Sequence, residues 1–215
     1  MNYRKPNITM PCRSPLSKLK QTSTRTKQRA KKIHLAVSGT PGTGKTALAK
    51  LIAKRLGIQY ISLTDLILAH NIADKYDRRA KTYDVSVKKL ELLLRRVLFG
   101  GLHDSDHLGG RSRNYRANQS YVLDSHLSHL LSAKLVDVVI VCRCDISVLN
   151  RRLIAREYSK QKVKDNMDAE IFNVCATESM ENGHPTLEIN CSKKTSEEKI
   201  KLLLRQLLRQ QRLLL

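Results

Sequence analysis

The segment at residues 39–46 reads GTPGTGKT, in which three glycines precede an adjacent lysine and threonine. Glycine allows backbone turns that side chains would block, so that successive amide N–H groups can point at one anion. Lys45 adds a positive charge, and Thr46 adds a hydroxyl that can bind Mg²⁺. The spacing matches the pattern GxxxxGK[ST] in full, so this segment is predicted to hold the phosphates of a nucleotide. We call it the phosphate loop.

A carboxylate and an imidazole follow a second predicted strand. Asp124 ends the run Tyr121–Leu123, and His126 comes two residues later. Strand ends in a doubly wound sheet open onto the ligand crevice, so Asp124 is predicted to join Thr46 as a Mg²⁺ ligand. The alternative is that Asp124 caps a helical turn. For His126, a role in carrying a proton or orienting water and a purely structural role are equally open.

Two arginines are spaced so that one helix face could carry both. Arg152 and Arg156 are four residues apart, which lets both reach the same phosphates if they lie on one helix. Positive charges of this kind serve phosphoryl transfer, although a solvated basic face is the alternative in so basic a chain. The predicted catalytic residues are Lys45, His126, Arg152 and Arg156, the predicted nucleotide contacts are Gly39, Thr40, Pro41, Gly42, Thr43, Gly44, Lys45, Thr46, Ala47 and Arg156, and the predicted metal ligands are Thr46 and Asp124.

Apolar patterns around these residues predict alternating strands and helices. Short apolar runs predict strands at Ile33–Ser38, Ile58–Leu63, Ser120–Asp124, Val136–Cys142 and Thr186–Ile189. Helical spacing predicts helices at Thr46–Leu56, Val85–Leu98, Ile146–Arg156, Val163–Glu181 and Ser196 to about Leu213. This alternation predicts an α/β fold of the P-loop NTPase type, with a five-stranded parallel sheet and helices on both faces.

The charge is distributed unevenly along the chain. The 215 residues include 40 Lys and Arg against 19 Asp and Glu, a net charge of +21, which favours polyanionic partners. Residues 1–32 hold ten of these basic residues and no acid, which predicts a disordered basic tail ahead of one catalytic domain at 33–215. The glycine-rich stretch at about 100–119 is predicted to be a long loop.

Several protein classes are disfavoured by the same sequence. No apolar stretch approaches the roughly 18 residues of a membrane span, and no secretory signal is evident, so an intracellular protein without a membrane segment is expected. Five scattered cysteines fit reduced thiols better than a zinc site or a disulfide frame. The guanine-reading element [NT]KxD does not occur. A phosphate loop, an Asp-bearing strand and an Arg-rich helix in a small chain suggest a nucleoside monophosphate kinase.

The motifs together resemble one family. In order, GTPGTGKT, ISLTDL, YVLDSHLSHLL, VDVVIVCRC, LNRRLIAREYSKQKVKDNMDAEIF and LEINCSKKTSEE are similar to the adenylate kinase 6 family, which includes the coilin-interacting nuclear ATPase group and archaeal adenylate kinase relatives. The resemblance runs from Ile33 to about Leu208. It does not cover the tail or the loop at 100–119.

This resemblance implies an enzyme that converts ATP and AMP into two ADP with Mg²⁺, has ATPase activity and acts in late maturation of the small ribosomal subunit. The implied partners are AMP or another nucleoside monophosphate, a small-subunit ribosomal protein and pre-ribosomal RNA. Residues at about 64–94, including Asp65, would bind the monophosphate, and a lid at about 152–166 would bring Arg152, Arg156 and Lys162 to the phosphates. A monomer is expected, in the cytoplasm or, in a eukaryotic host, the nucleus.

The chain departs from the family pattern at two places. Glu157 stands where the family usually has glycine in RGY, which adds a negative charge to the lid, and the loop at 100–119 precedes the strand that bears Asp124. Both put the rate of the kinase reaction in question. The alternatives are a ribosome-assembly ATPase switch and an RNA-binding protein with little kinase activity.

Overall fold

The computed structural model describes residues 32–77, 82–99, 116, 118–193 and 197–213. Their elements are β1 (His34–Ser38), α1 (Lys45–Leu56), β2 (Gln59–Ser62), α2 (Leu63–Ala69), β3 (Lys75–Asp77), β4 (Thr82–Asp84), α3 (Val87–Phe99), β5 (Tyr121–Asp124), β6 (Val138–Arg143), α4 (Ile146–Ile154), α5 (Lys160–Ile171), α6 (Val174–Glu181), β7 (Thr186–Asn190) and α7 (Glu197–Leu213). A single 3-10 turn at Ser128–Leu130 lies between β5 and β6.

One sheet contains five of these strands in the order β2-β5-β1-β6-β7. All four neighbouring pairs are parallel, so the predicted five-stranded parallel sheet is confirmed. Strand β1 lies in the centre, with β5 on one side and β6 on the other. The loop that follows β1 therefore opens at the edge where the carboxyl ends of all five strands meet, which is where ligands bind in open α/β sheets.

Alternate side chains of β1 enter two different cores. Leu35 and Val37 pack with apolar residues of α1 and α7, whereas Ala36 packs with those of α2, α3 and α6. All three side chains are fully buried. A strand that is buried on both faces needs a continuous apolar run, as the sequence of β1 has. Helices on both faces, as the sequence predicts, are thus confirmed.

Helix α2 and a small hairpin were not predicted from the sequence. Helix α2 begins where Ser62 accepts a hydrogen bond at its side-chain oxygen from the backbone N–H of Asp65. This is a standard cap for the first turn of a helix. The antiparallel pair β3–β4 joins the side chains of Tyr76 and Tyr83, whose ring centroids are 4.7 Å apart. Both elements lie within the segment at 64–94 that was expected to bind a monophosphate.

The single helix predicted over Val163–Glu181 is wrong. The structure has two helices there, α5 and α6, separated at Phe172 and Asn173. Asn173 has a φ of 54° in the left-handed region, which ends the regular helix. Asparagine tolerates this conformation better than most residues do. Helical spacing of apolar residues runs across the break, so the periodicity alone does not reveal it.

Parts of two predicted segments lie outside the described residues. These are the basic tail, of which only Lys32 is described, and most of the predicted loop at 100–119. Among the described residues, no helix combines the length and the apolar character needed to cross a membrane.

Candidate active site

The phosphate loop begins with Gly39, directly after β1. Gly39 has a φ of +132°, and a Cβ atom placed on it would lie 2.5 Å from the carbonyl oxygen of Cys142 on the neighbouring strand β6. A side chain at this position would meet the backbone of a central strand. Only glycine fits both the backbone conformation and the space, so this part of the motif is needed for the loop to leave the sheet at all.

Hydrogen bonds inside the loop converge on one carbonyl. The backbone N–H and the hydroxyl of Thr43 donate to the carbonyl oxygen of Thr40 at 3.2 and 2.8 Å, and Lys45 Nζ donates to the same oxygen at 3.0 Å. Helix α1 begins at Lys45 behind Gly44, which offers no side-chain acceptor to the first helical N–H groups. Those N–H groups and the positive end of the helix are therefore free to bind an anion.

The ammonium of Lys45 lies in the crevice between the loop and β5. Burial lowers the pKa of Lys45, while Cys142 and Asp124 oppose this shift and Arg156 adds to it. A partly desolvated cation gains more from a bound anion than one in open water does. Lys45 is therefore a partly desolvated cation beside the phosphate loop.

Asp124 lies at the carboxyl end of β5, next to the phosphate loop. Its side chain is buried, and the hydroxyl of Tyr60 on β2 donates to its Oδ2 atom at 2.8 Å. Burial, followed by the hydrogen bond to Asp124, raises the pKa of Tyr60, so the hydroxyl keeps its proton. In the turn after β5 the Oγ atom of Ser125 accepts from the N–H of Leu127. The 3-10 turn at Ser128–Leu130 begins without a side-chain cap, so Asp124 does not serve as its cap. A carboxylate and the hydroxyl of Thr46 in one crevice fit the oxygen donors that Mg²⁺ prefers.

His126 borders the same crevice and is exposed to it. Partial desolvation of the imidazole by the surrounding protein lowers the pKa of His126 to about 4, and the positive charge of Lys45 contributes to this shift. At neutral pH the imidazole is therefore uncharged. It can form hydrogen bonds to a ligand, but it is a weak base.

The two arginines are not arranged as their spacing suggested. Helix α4 ends at Ile154, so Arg152 lies on the helix while Arg156 lies in the turn that follows it. The guanidinium of Arg152 donates to backbone carbonyls of the phosphate loop, including Thr43 at 3.1 Å. Arg156, by contrast, is exposed and lines the crevice beside the loop. The prediction that both arginines lie on one helix face is wrong, because α4 ends before Arg156. Contact of the two arginines with phosphates stays a prediction.

Lys162 was also expected to face the phosphates from the lid. The structure places its Nζ atom 4.0 Å from the centre of the Tyr158 ring, which attracts a cation through the negative face of its π system. Glu157, at the position where the family usually has glycine, has a φ of 55°. The backbone at the end of α4 thus adopts the left-handed conformation that glycine accepts without strain.

Sequence reasoning missed a buried hydrogen-bonded chain behind the phosphate loop. Ser38 Oγ lies 2.6 Å from His129 Nδ1, and His129 Nε2 lies 2.8 Å from Glu178 Oε2. Burial lowers the pKa of His129 even though Glu178 opposes the shift. In the neutral ring, Nε2 donates to the carboxylate and Nδ1 accepts from the serine hydroxyl. Ser38 and His129 are both buried, so this chain connects the end of β1 to α6 inside the protein.

Two clefts meet at Lys45 and Thr46. The Tyr60 cleft, of about 320 Å³, and the Arg156 cleft, of about 500 Å³, have volumes typical of small-molecule sites. The Tyr60 cleft is lined by Lys45, Thr46, Lys50, Tyr60, Ser62, Thr64, Asp65, Asp124, Ser125 and His126. The Arg156 cleft is lined by Gly42, Gly44, Lys45, Thr46, Ala47, Lys50 and Arg156. The two clefts therefore share Lys45, Thr46 and Lys50.

Comparison with known proteins places this arrangement in a family. A family model described as an AAA domain matches residues 35–173. A Thermococcus onnurineus protein named "Putative adenylate kinase" is 34% identical over 170 residues, which cover 79% of this chain and 81% of the relative. The "Adenylate kinase isoenzyme 6 homolog" of Schizosaccharomyces pombe is 32% identical over 166 residues, or 77% of this chain and 84% of the relative. This chain belongs to the adenylate kinase isoenzyme 6 family.

The resemblance seen in the motifs is thereby confirmed. Among solved structures, a sugar kinase from Janibacter sp. HTCC2649 aligns with a TM-score of 0.51 at 15% identity, covering 81% of this chain and 94% of that protein. At this identity the likeness shows the shared fold alone.

Proposed function

We propose that this protein is a nucleoside monophosphate kinase that transfers the γ-phosphoryl group of ATP to AMP and forms two ADP. The observation that carries the proposal is the meeting of two clefts at Lys45 and Thr46. A kinase with a nucleotide acceptor needs two nucleotide sites that face one transferred phosphoryl group. The names of the relatives support adenine nucleotides as the pair.

In this proposal the phosphates of ATP lie on the phosphate loop, in the Arg156 cleft. The backbone N–H groups of the loop and the start of α1 bind the phosphate oxygens, and Lys45 neutralises charge at the β and γ positions. Arg156 contacts the triphosphate from the opposite wall of the cleft, where its exposed guanidinium is within the lining. Together these groups hold the donor in one orientation before transfer.

The acceptor lies in the Tyr60 cleft. Its phosphate end faces Lys45 and Lys50, both of which line the cleft. Thr64 and Asp65, at the start of α2, line the same space and offer oxygens to the hydroxyl or amino groups of a nucleoside. The polar lining suits a charged, hydrogen-bonding acceptor better than an apolar one.

Thr46 and Asp124 are the residues that would hold Mg²⁺. When bound, Mg²⁺ neutralises charge on the β- and γ-phosphate oxygens. The Tyr60 hydroxyl occupies Oδ2 of Asp124 at 2.8 Å and fixes the orientation of the carboxylate, so that Oδ1 can face the crevice.

Transfer forms a bond between an oxygen of the AMP phosphate and the γ-phosphorus, while the bond from that phosphorus to the β–γ bridging oxygen breaks. The attacking oxygen of AMP is already anionic at neutral pH, so no base has to remove a proton. This agrees with the lowered pKa of His126, at about 4, which makes the imidazole a hydrogen-bonding group and not a proton acceptor. Lys45 stabilises the charge that spreads over the transferred group.

The turn at 155–159 and the start of α5 form the lid in this proposal, with Arg156 and Lys162 carried on them. Closure of such a segment excludes water, so that the phosphoryl group goes to the acceptor. Water that enters an open lid in the absence of AMP produces ADP and inorganic phosphate. ATPase activity is therefore proposed as the slower side reaction.

The test is the initial rate of ADP formation from ATP with and without AMP, repeated with GMP, CMP and UMP. We expect AMP to raise the rate at least tenfold and Lys45→Ala to abolish it. Lys54→Ala is the matched control, because Lys54 is an exposed lysine of the same helix that lines neither cleft. A protein that binds ATP but forms ADP at the same slow rate with every acceptor would contradict the proposal.

A second function, binding to RNA during assembly of the small ribosomal subunit, is proposed on the charge of the chain. The net charge is +21, and ten basic residues without an acid stand in residues 1–32. Each phosphate contact that releases counterions contributes about 0.7 to the salt slope for single-stranded RNA. Replacing the ten basic tail residues by glutamine should weaken RNA binding and flatten its salt dependence, with AMP-dependent ADP formation unchanged. Equal loss of both activities would refute this division.

A further inference from the structure

Arg152 bridges the phosphate loop and the end of the sheet with a set of hydrogen bonds that the proposed reaction does not use. Its Nη1 atom donates to the carbonyl oxygens of Gly42 and Thr43 at 3.2 and 3.1 Å. Its Nη2 atom donates to the carbonyl oxygens of Cys191 and Ser192, just after β7, at 3.2 and 2.8 Å. The side chain is partly buried between these segments.

These contacts leave little capacity for a phosphate. A guanidinium has five N–H donors, two on each Nη and one on Nε. In Arg152 both Nη atoms already serve two carbonyl oxygens each. A bidentate contact with a phosphate would require at least one of these bonds to break. Among the described residues, no side-chain hydrogen bond from Arg156 to a backbone carbonyl is seen, and Arg156 lines the Arg156 cleft.

The contacts also set the orientation of two peptide groups in the loop. Across a planar trans peptide, the carbonyl of one residue and the N–H of the next point in opposite directions. With the Gly42 carbonyl turned towards Arg152, the Thr43 N–H points inward, where it reaches Thr40. With the Thr43 carbonyl also turned towards Arg152, the Gly44 N–H points away from Arg152.

We propose that Arg152 is a positioning residue that fixes the phosphate loop in its anion-binding conformation from behind, through carbonyl groups, and does not itself bind the nucleotide. Its anchor is the segment directly after β7, the edge strand of the five-stranded sheet. The inference rests on the proposed function only in assuming that ATP is the ligand of the loop. The orientation of the loop itself can be measured without any nucleotide.

The test compares Arg152→Ala, Arg152→Lys and Arg156→Ala with the parent protein. Hydrogen–deuterium exchange of the nucleotide-free proteins reports on the amides of residues 42–45, and calorimetry measures the affinity for ATP. Arg152→Ala should speed exchange of these amides about tenfold, because two carbonyl contacts that hold the loop are lost. Arg156→Ala should leave that exchange unchanged. Arg152→Ala and Arg156→Ala should each lower the affinity for ATP by about tenfold or more.

Rescue separates positioning from general stabilisation. Methylguanidine added to Arg152→Ala can occupy the vacated space, and it should restore loop protection and ATP affinity together. In Arg156→Ala, methylguanidine should leave loop exchange at the parent rate. Arg152→Lys keeps the charge but cannot serve both pairs of carbonyls, so it should show intermediate exchange. Unchanged loop exchange in a folded Arg152 variant that has lost ATP affinity would overturn the proposal. If Arg152→Ala unfolds, the same comparison with Arg152→Lys decides.

Discussion

Replacing Gly39 by alanine tests how the phosphate loop leaves the sheet. The added Cβ would lie 2.5 Å from the carbonyl oxygen of Cys142, and the residue would have to keep a φ of +132°. Backbone strain of about 1–3 kcal/mol adds to about 1–3 kcal/mol for overpacking. A gain of about 0.4–1 kcal/mol in the unfolded chain opposes this. We therefore expect Gly39→Ala to lower the free energy of unfolding by about 3 kcal/mol.

Gly57 provides the matched control. It ends α1 with a φ of +63°, and a Cβ there would meet nothing within 4 Å. Alanine at this position bears only the left-handed strain, so Gly57→Ala should cost about 1 kcal/mol or less. Urea unfolding followed by circular dichroism gives both values, and ATP binding should be lost in Gly39→Ala only. An equal cost for the two variants would refute the argument from the contact with β6.

Three further predictions concern residues around the site. The pKa of His126 is about 4 in the folded protein and ordinarily 6.5, so the unfolded chain binds the proton first as the pH falls through this range. Acidification from pH 6.5 to 4 should therefore destabilise the parent protein more than it destabilises His126→Gln. A midpoint near 6.5 in an NMR titration of His126 would contradict this. Glu170→Ala removes a buried carboxylate that accepts from Arg143 Nε at 2.9 Å and from the Cys144 N–H at 2.8 Å, so it should lower the free energy of unfolding in urea by about 3 kcal/mol. Glu188→Ala removes an exposed partner of the same arginine and should lower it by less than about 1 kcal/mol. Similar losses in the two variants would contradict the stabilising role of the buried Glu170 contacts. Glu157→Gly removes left-handed strain at a φ of 55° and should raise the free energy of unfolding by about 0.5–1 kcal/mol. Asn173→Gly should raise it by less, because asparagine accepts that conformation. A loss of stability in Glu157→Gly would contradict the presence of backbone strain at Glu157.

The parts of the fold that the sequence predicts are those with local signals. The phosphate loop is readable because glycines, lysine and threonine must stand at fixed spacing to hold phosphate. The central strands are readable because burial on both faces requires continuous apolar runs, as in Leu35–Val37. The hairpin β3–β4 has only three residues in each strand, too few for a period to stand out.

The contacts that were missed depend on residues far apart in the chain. Arg152 meets Thr43 and Ser192 across 109 and 40 residues, and its partners are backbone carbonyls, which no sequence pattern marks. The link from Ser38 through His129 to Glu178 is likewise set by strand order. The break at Asn173 is a single backbone conformation, and helical periodicity continues on both sides of it. Arg152 and Arg156 are indeed four residues apart, but the helix ends between them, so the spacing predicted a shared helix face that the structure does not have.

The two clefts that meet at Lys45 and Thr46 are proposed to hold two nucleotides between which a phosphoryl group is transferred. The most direct measurement follows the radioactive phosphate of [γ-³²P]ATP in the presence of AMP. We expect the label to appear in the β-phosphate of ADP, faster than it appears in inorganic phosphate, and Lys45→Ala to lose both products. Label that goes to inorganic phosphate at the same rate with and without AMP would contradict the proposed transfer.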